Sequence, residues 1–462
     1  MNQSALLFIF GAQAIQIRDG EAPYTTLSEN THNFIIAHEA LRMGHRVFFK
    51  MVDFKECLEL TQVYPIVKIA RVIDFYDPTF EPAIIFAVNY GGILSADRPH
   101  KPSAIGVLIL NAHYWLENAA GFDLNIIDQW RLALVKDVDF ILTQNPRMAE
   151  LGFSLFNLTA KWEWQDRILL APNTYTPETL ARENNLYDRA KVRAEMGLQE
   201  DDIAIINSGG PWIWTDYLSF LHAFIFAVRS GATRLRHIQM GIRQPTNRVH
   251  EQMEGQYRIL MMQNHDLIES GHWMVMDDWQ QASACLPAWN YGADIGLNVS
   301  KETAENYQSH RVRFLDYAKA GLPILQTTGS YYGDHDARDA IIPVQSGNKD
   351  SYVDALMRLN NGEIDLPSKR RAMENFRNSI SSEKLVPEAI KTMLTMGKLP
   401  DDLRYSYQVL MYAHYRNYEL DNFIRNFKLR SEEDIQKIDD YMMEQRRILE
   451  AMKEEDRAKQ VS

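Results

Sequence analysis

The sequence predicts an α/β protein built from two consecutive doubly wound parallel-sheet domains with a helical C-terminal extension. Three features predict it. Short apolar runs alternate with helix-length segments in the N-terminal part, and the alternation restarts after a polar stretch at Thr174–Asn185. From about Ser368 strand-like runs give way to charged helical sequence. Strand–helix–strand alternation implies parallel sheets covered on both faces. The expected boundaries are 1–180, 181–370 and 371–462, with part of the last segment free to cross back to the first domain.

Ala5–Phe10 reads as a buried strand. Glu29–Met43 reads as a helix, because Phe34, Ile35, Ala37 and Leu41 share helical spacing and Gly44 follows as a C-cap. Arg46–Met51, Ala83–Val88, Ile105–Leu110 and Phe140–Thr143 read as further strands. In the second domain the strands are Ile203–Asn207, Arg236–Met240, Trp273–Met276, Ile295–Val299 and Pro323–Gln326, with a helix at Tyr217–Ser230. Met261, Met262, Met274 and Met276 are expected to fill core. Asp421–Lys459 spaces Ile424, Phe427, Ile435, Ile438, Met442, Leu449 and Met452 among charges, as a long amphipathic helix or helical hairpin does.

At 462 residues the chain exceeds one ordinary core, and its 46% hydrophobic and 24% charged content is that of a globular protein. A net charge of −12 disfavours nucleic acid, whose phosphates would be repelled. It also disfavours a basic membrane-docking face, although peripheral membrane contact through a local patch stays open. Cys57 and Cys285 give neither a disulfide framework nor a zinc spacing, and suit a reducing compartment. The apolar run Ala5–Phe10 is too short and lacks the basic flank of a signal peptide, and no run reaches the length of a membrane span. The expected location is therefore the cytoplasm. P-loop, dinucleotide-fold glycine and nucleophile-elbow motifs are missing from the sequence.

The richest segment is Glu302–Gly329, E-T-A-E-N-Y-Q-S-H-R-V-R-F-L-D-Y-A-K-A-G-L-P-I-L-Q-T-T-G. A strand leads into a loop, a helix opens near Val312, and Gly321 then Pro323 end it. A helix start offers free N–H groups and the positive end of a dipole, a ready site for a diphosphate. Arg311 and Arg313 add guanidinium groups that suit phosphate, and Asp316 one turn on can accept from ribose hydroxyls. Earlier, Asn207–Phe224 (N-S-G-G-P-W-I-W-T-D-Y-L-S-F-L-H-A-F) sets Gly209 and Gly210 after a strand, where missing side chains let backbone approach a diphosphate. Asp216 is placed to cap the helix that follows. Trp212 and Trp214 can stack on a base or sugar or pack in the core.

These two segments resemble the donor-binding signature of the group 1 family of retaining glycosyltransferases, and within it a bacterial cell-surface-polysaccharide branch. Glu305, Arg311, Arg313, Leu315, Asp316, Tyr317, Ala320, Gly321, Leu322 and Pro323 fall on its second motif. Gly209, Gly210, Trp212, Trp214, Asp216 and Leu218 fall on its first. The likeness is good over 205–330 and weak over most of 1–365. It implies a GT-B fold, in which two Rossmann-like domains face a cleft. It also implies transfer of a sugar from a nucleotide-sugar donor (UDP, GDP or dTDP) to a saccharide or other acceptor in surface glycan synthesis. Configuration would be retained, with no metal and no resident cofactor.

By the resemblance Glu305, Asn306, Tyr307, Gln308 and Ser309 face the donor sugar and phosphates, Asp316 the ribose, and His113, after the Ile105–Leu110 strand, the donor sugar. A structural His113 is an equal alternative. The sequence departs from the family in two places. Gln308 stands where the family's first carboxylate would be, and Gly210 and Thr215 replace a phosphate-gripping Arg and Lys. Arg243, Arg311 or Arg313 are the available substitutes. A nucleotide-sugar epimerase of the same fold, or an inactive relative serving as a binding scaffold, are the alternatives, with the charged tail available for oligomerisation.

Overall fold

The computed structural model describes residues 4–9, 28–50, 71–72, 83–87, 104–109, 139–149, 166–171, 174–210, 214–243, 248–303, 306–307 and 311–399. The expected helix at Asp421–Lys459 lies outside them. Two parallel sheets follow one another along the chain. The first contains β1 (Ala5–Ile9), β2 (Arg46–Lys50), β3 (Arg71–Val72), β4 (Ile84–Ala87), β5 (Ala104–Ile109), β6 (Phe140–Thr143) and β7 (Ile168–Leu170), in the order β3-β2-β1-β4-β5-β6-β7. The second contains β8 (Ile203–Asn207), β9 (Leu235–Arg243), β10 (Trp273–Asp278), β11 (Ile295–Asn298), β12 (Ile324–Thr327) and β13 (Ile341–Val344), in the order β10-β9-β8-β11-β12-β13. Every pairing in both sheets is parallel.

The apolar runs predicted these strands because both faces are covered. In β8 all five residues are buried. Ile203 and Ile205 enter one core, with Phe220, Phe224 and Leu356, while Ala204 and Ile206 enter the other, with Leu315, Ile324 and Phe376. That is the period of two imposed by the pleat. Three strands, β3, β7 and β13, go beyond the apolar runs read above, and β7 spans only Ile168–Leu170. β3 has only Arg71 and Val72, and β13 contains Pro343, which removes a ladder donor and so suits the sheet edge that β13 occupies. Among the methionines expected in the core, Met261, Met274 and Met276 pack against it, but Met262 is exposed. It lies on the side of its helix opposite Tyr257 and Leu260, which point inward.

Four helices matter to the site: α1 (Ser28–Arg42), α2 (Tyr217–Arg229), α3 (Val312–Lys319) and α4 (Ser382–Met396). α4 spaces Val386, Ala389, Ile390 and Met393 on one stripe and buries it in the core of the first sheet, beside Ile35, Ile36 and Ala40 of α1. The Ser382 hydroxyl donates to the buried Glu39 carboxylate. Beyond α4, Leu399 N donates to Asp139 Oδ1 at 2.8 Å, at the start of β6. The chain therefore leaves the first sheet after β7 and returns to it after the second. Among the described residues no helix is long and apolar enough to cross a membrane.

One buried group gives this core a pH dependence. His237 of β9 is fully enclosed, with Nδ1 donating to Ile205 O at 3.1 Å and Nε2 accepting from the Tyr217 hydroxyl at 2.7 Å. Burial lowers its pKa to about 3. The denatured chain takes up this proton near pH 6.5 and the native chain does not, so stability present above pH 6.5 is lost as pH falls toward 3. At about 1.4 kcal/mol per pH unit, native stability should drop by about 2 kcal/mol between pH 6.5 and 5. Urea midpoints across this range should show a slope that His237→Gln reduces by one proton. Parallel slopes for the two proteins would remove His237 as the cause.

Candidate functional site

In the second sheet the chain runs outward from β8 through β9 to β10, then begins again at β11 on the other side of β8 and runs to β13. The carboxyl ends of β8 and β11 are therefore the topological switch point, where ligands of open α/β sheets bind. The two strands pair only through Ile295–Ile205 and Gly296–Ile206 and part beyond that. Tyr317 of α3 fills the gap. Its hydroxyl accepts from Ser208 N at 2.9 Å and lies within donating distance of Ile206 O (3.0 Å) and Leu297 O (3.1 Å). Its ring occupies the space a Cβ on Gly296 would need. One tyrosine thus ties the end of β8, the end of β11 and α3 together.

Arg313, on the first turn of α3, points at the same place. Its Nη1 donates to Asn207 Oδ1 at 2.9 Å, and its Nη2 lies 2.9 Å from where a Cβ on Gly209 would be. Asn207 Nδ2 donates to Gln239 Oε1 at 2.8 Å, and Gln239 Nε2 donates to Gly209 O at 3.0 Å and to Met240 O at 3.0 Å. A chain of neutral amides thus runs from the guanidinium across β8 and β9 and back to the glycine loop. Among the described residues no carboxylate lies within ion-pair distance of Arg313. Desolvation lowers its pKa, and the neighbouring Arg311 lowers it too. Tyr317 and Asp316 oppose that lowering, but an anion here would still meet a guanidinium that no carboxylate of the described residues pairs with directly. The buried Ser208 hydroxyl, next in the loop, has no hydrogen-bond partner among the described residues.

Arg311 is the N-cap residue of α3, and its guanidinium stands 5.9 Å from the Trp214 ring centroid. The loop carrying Trp214 is fixed to the end of β11 by Lys301 N to Trp214 O (2.9 Å) and Asp216 N to Val299 O (3.3 Å). The expected capping role of Asp216 is corrected here. It occupies the N-cap position of α2, but its carboxylate makes no capping bond. It accepts instead from Gly347 N at 2.7 Å and from the Tyr352 hydroxyl at 2.8 Å, so a tertiary partner displaces the local one. Asp316 lies one turn deeper than Arg313. Burial raises its pKa against the opposing pull of Lys319, which is bonded at 3.1 Å to Glu183 of the helix Pro177–Leu186.

Of the other expected site residues, Asn306 is buried and donates from Nδ2 to Thr328 O at 3.5 Å. Tyr307 is 48% exposed. Gly210 follows Gly209 in the buried loop. His113, Trp212, Glu305, Gln308, Ser309 and the side chain of Arg243 lie outside the described residues. The structure adds residues the sequence reading did not single out: Gln239, whose amide holds the glycine loop, and Arg147, which follows β6 of the first sheet. Arg147 reaches Gly329 O at 3.0 Å and Tyr307 O at 3.4 Å. Nearby, the Tyr332 hydroxyl donates to Gln144 O at 3.1 Å. The carboxyl end of β6 is thereby set against the segment after β12, and the side-chain amide of Gln144 is fully buried without a hydrogen-bond partner among the described residues.

No protein-family profile and no curated protein matches this chain. Solved structures do. It is similar to HepE of Anabaena in complex with UDP-glucose, at a TM-score of 0.58 and 12% identity over 85% of this chain and 100% of that one. It is similar to the trehalose-6-phosphate synthase OtsA, at 0.57 and 11% over 85% and 99%. It is also similar to WaaG, a glycosyltransferase involved in lipopolysaccharide biosynthesis, at 0.51 and 13% over 85% and 100%. The fold is GT-B. Identity this low establishes the architecture and leaves the chemistry to the site.

Two glycines separate folding from binding at this site. Gly296→Ala would drive a Cβ into the Tyr317 ring, with no flexible atom to yield, and should cost about 3 kcal/mol. Gly209→Ala meets only the far end of Arg313, which can swing aside. Its melting temperature should stay near wild type while anion binding at the loop is lost. Calorimetric melting of both variants, with pyrophosphate titration of the second, checks the contrast.

Proposed function

We propose that this chain is a glycosyltransferase that moves a sugar from a nucleotide-sugar donor to a saccharide or other acceptor in surface glycan synthesis, with retention of configuration. One observation carries the reading. The Arg313 guanidinium, held by a neutral amide and crowded against a glycine loop, sits at the switch point of the second sheet with no carboxylate of the described residues in ion-pair distance. The neighbours HepE and OtsA support the reading, the first having been solved with UDP-glucose. On it, the donor diphosphate lies over Gly209 and Gly210, with Ser208 Oγ and the amides at the start of α3 as further donors and Asp316 toward the ribose. Glu305, Tyr307, Gln308, Ser309 and His113 face the donor sugar.

As the bond from the anomeric carbon to the diphosphate breaks, negative charge grows on the leaving oxygen. Donors fixed in advance stabilise that charge more than they stabilise the ground state. Arg311 and Arg313 are the groups assigned to it, and the reading needs no divalent metal. The departures at Gly210 and Thr215 favour a second reading, a scaffold of the same fold that binds no donor.

A thermal-shift screen with UDP-glucose, GDP-mannose and dTDP-glucose separates the two. A ligand at a hundredfold excess over its dissociation constant stabilises the native state by about 2.7 kcal/mol. One of the three should raise the melting temperature, and Arg313→Met should weaken that ligand by about tenfold or more. EDTA should leave turnover unchanged. A wild-type protein indifferent to all three nucleotide sugars would sink the transferase reading in favour of the scaffold.

A further inference from the structure

We infer that Arg147 is a positioning residue, which holds the entrance to α3 in place from the opposite sheet. The inference rests on the donor site proposed above. Arg147 lies in the helical turn at 146–149 that opens after β6, where Asn145 Oδ1 accepts from Met148 N at 2.9 Å and so sets the backbone beneath it. Its guanidinium enters a complete socket on the second domain. Nη1 donates to Gly329 O (3.0 Å) and Tyr307 O (3.4 Å), and Nη2 lies 3.2 Å from His335 Nε2 and 3.5 Å from Asp334 Oδ2. The plane stands 3.8 Å from the centroid of the Tyr307 ring. Its side chain is only 11% exposed.

The socket is itself tied together. Asp334 Oδ1 accepts from Gly329 N at 3.2 Å, and Gly329 adopts a positive φ of 103°. Asn306 Nδ2 reaches Thr328 O, and Asn306 N donates to Thr303 Oγ1 at 3.2 Å. Two segments of the second domain, one before α3 and one after β12, therefore meet on a single side chain from the first. Tyr307 precedes Arg311, the N-cap residue of α3, by only a few residues. Fixing its carbonyl and ring fixes where the chain enters α3, and hence where the free amides and both guanidinium groups of that helix start are aimed. An ion pair at 3.5 Å would contribute little by itself. The two carbonyls and the ring are what require a planar, multi-donor cation, a geometry lysine does not reproduce.

The full-length chain is tested as wild type, Arg147→Lys and Arg147→Met. Hydrogen exchange without ligand is followed by mass spectrometry on peptides covering 301–312, 326–336 and the strands β8 and β11. Arg147→Met should speed exchange in the first two by about tenfold and leave the strands unchanged, with Arg147→Lys in between. The nucleotide sugar that most stabilises the wild type should then bind Arg147→Met about tenfold more weakly. Unchanged exchange at 301–312 overturns the inference. So does faster exchange everywhere with a lower urea midpoint, since that marks a general stability effect, and so does faster local exchange with unchanged affinity. If the wild type binds no nucleotide sugar, the transferase reading falls instead, and the exchange data alone decide whether Arg147 holds the segment.

Discussion

The bond from Arg313 Nη1 to Asn207 Oδ1 joins the first turn of α3 to the last residue of β8, and the crevice end of the second sheet is arranged around it. A guanidinium has five donors, and this one spends a donor on a neutral oxygen. A carboxylate at residue 207 would have neutralised it and left nothing for a ligand. An apolar residue would have left it without support in a crowded setting, where desolvation already disfavours its charge. An amide meets both conditions. It also passes the constraint on, because its own Nδ2 must be satisfied and Gln239 is placed to do so. Gln239 then has an Nε2 to satisfy, and it fixes Gly209 O. Loop position thus follows from a sequence of obligatory hydrogen bonds beginning at one cation.

The opposite end of the same sheet follows the reverse logic. Before β11, Asp294 receives Arg189 at 2.6 Å, Arg193 at 2.8 Å and Arg370 at 3.5 Å. The surplus guanidinium donors go to carbonyls, including Ala293 O, Gly292 O and Asp202 O. Asp294 also accepts from Ala204 N at 2.9 Å, binding the start of β8 to the start of β11. Here cations are paired and their donors used up, which locks the amino ends of the strands. At the carboxyl ends Arg313 has no ion-pair partner among the described residues, and amides stand in place of acids: Asn207 with Gln239, and Asn298 with Gln326. The contrast is between guanidinium groups that share one carboxylate and a guanidinium held by an amide.

The fold was legible because buried parallel strands leave a strong one-dimensional trace. Ile203–Asn207 and Ile295–Asn298 are buried on both faces and read as unbroken apolar runs. The ends of Leu235–Arg243 were less clear, since polar His237 and Gln239 interrupt the run for reasons found only in three dimensions. At the site, Arg311, Arg313, Gly209 and Gly210 could be singled out because a helix start and a glycine pair are local signals. Arg147 could not. Its partner Gly329 is 182 residues away, and neither residue carries a mark that pairs it with the other. Asp216 shows the limit from the other side. Its position before α2 is that of a capping residue, yet Gly347 N and the Tyr352 hydroxyl, both remote in sequence, take its carboxylate. Local rules state what a residue can do, and tertiary contacts select among the options.

The two sheets are joined at two kinds of place. At one, the chain crosses between them twice, and the crossings bond to each other. The Thr174 hydroxyl donates to Ile380 O, Ser382 N donates to Tyr175 O at 3.2 Å, and the Tyr175 hydroxyl donates to Arg377 O at 2.7 Å. α4 then buries its apolar stripe against the first sheet, so this junction is anchored by a core. At the other, the contacts between the carboxyl ends of β6 and β12 are polar: Tyr332 to Gln144, and Arg147 to its socket. Hydrogen bonds of this kind exchange readily with water at a net difference of about 1 kcal/mol each, whereas the apolar anchor does not. Among the described residues, the first junction is therefore held by buried apolar surface and the second by polar contacts.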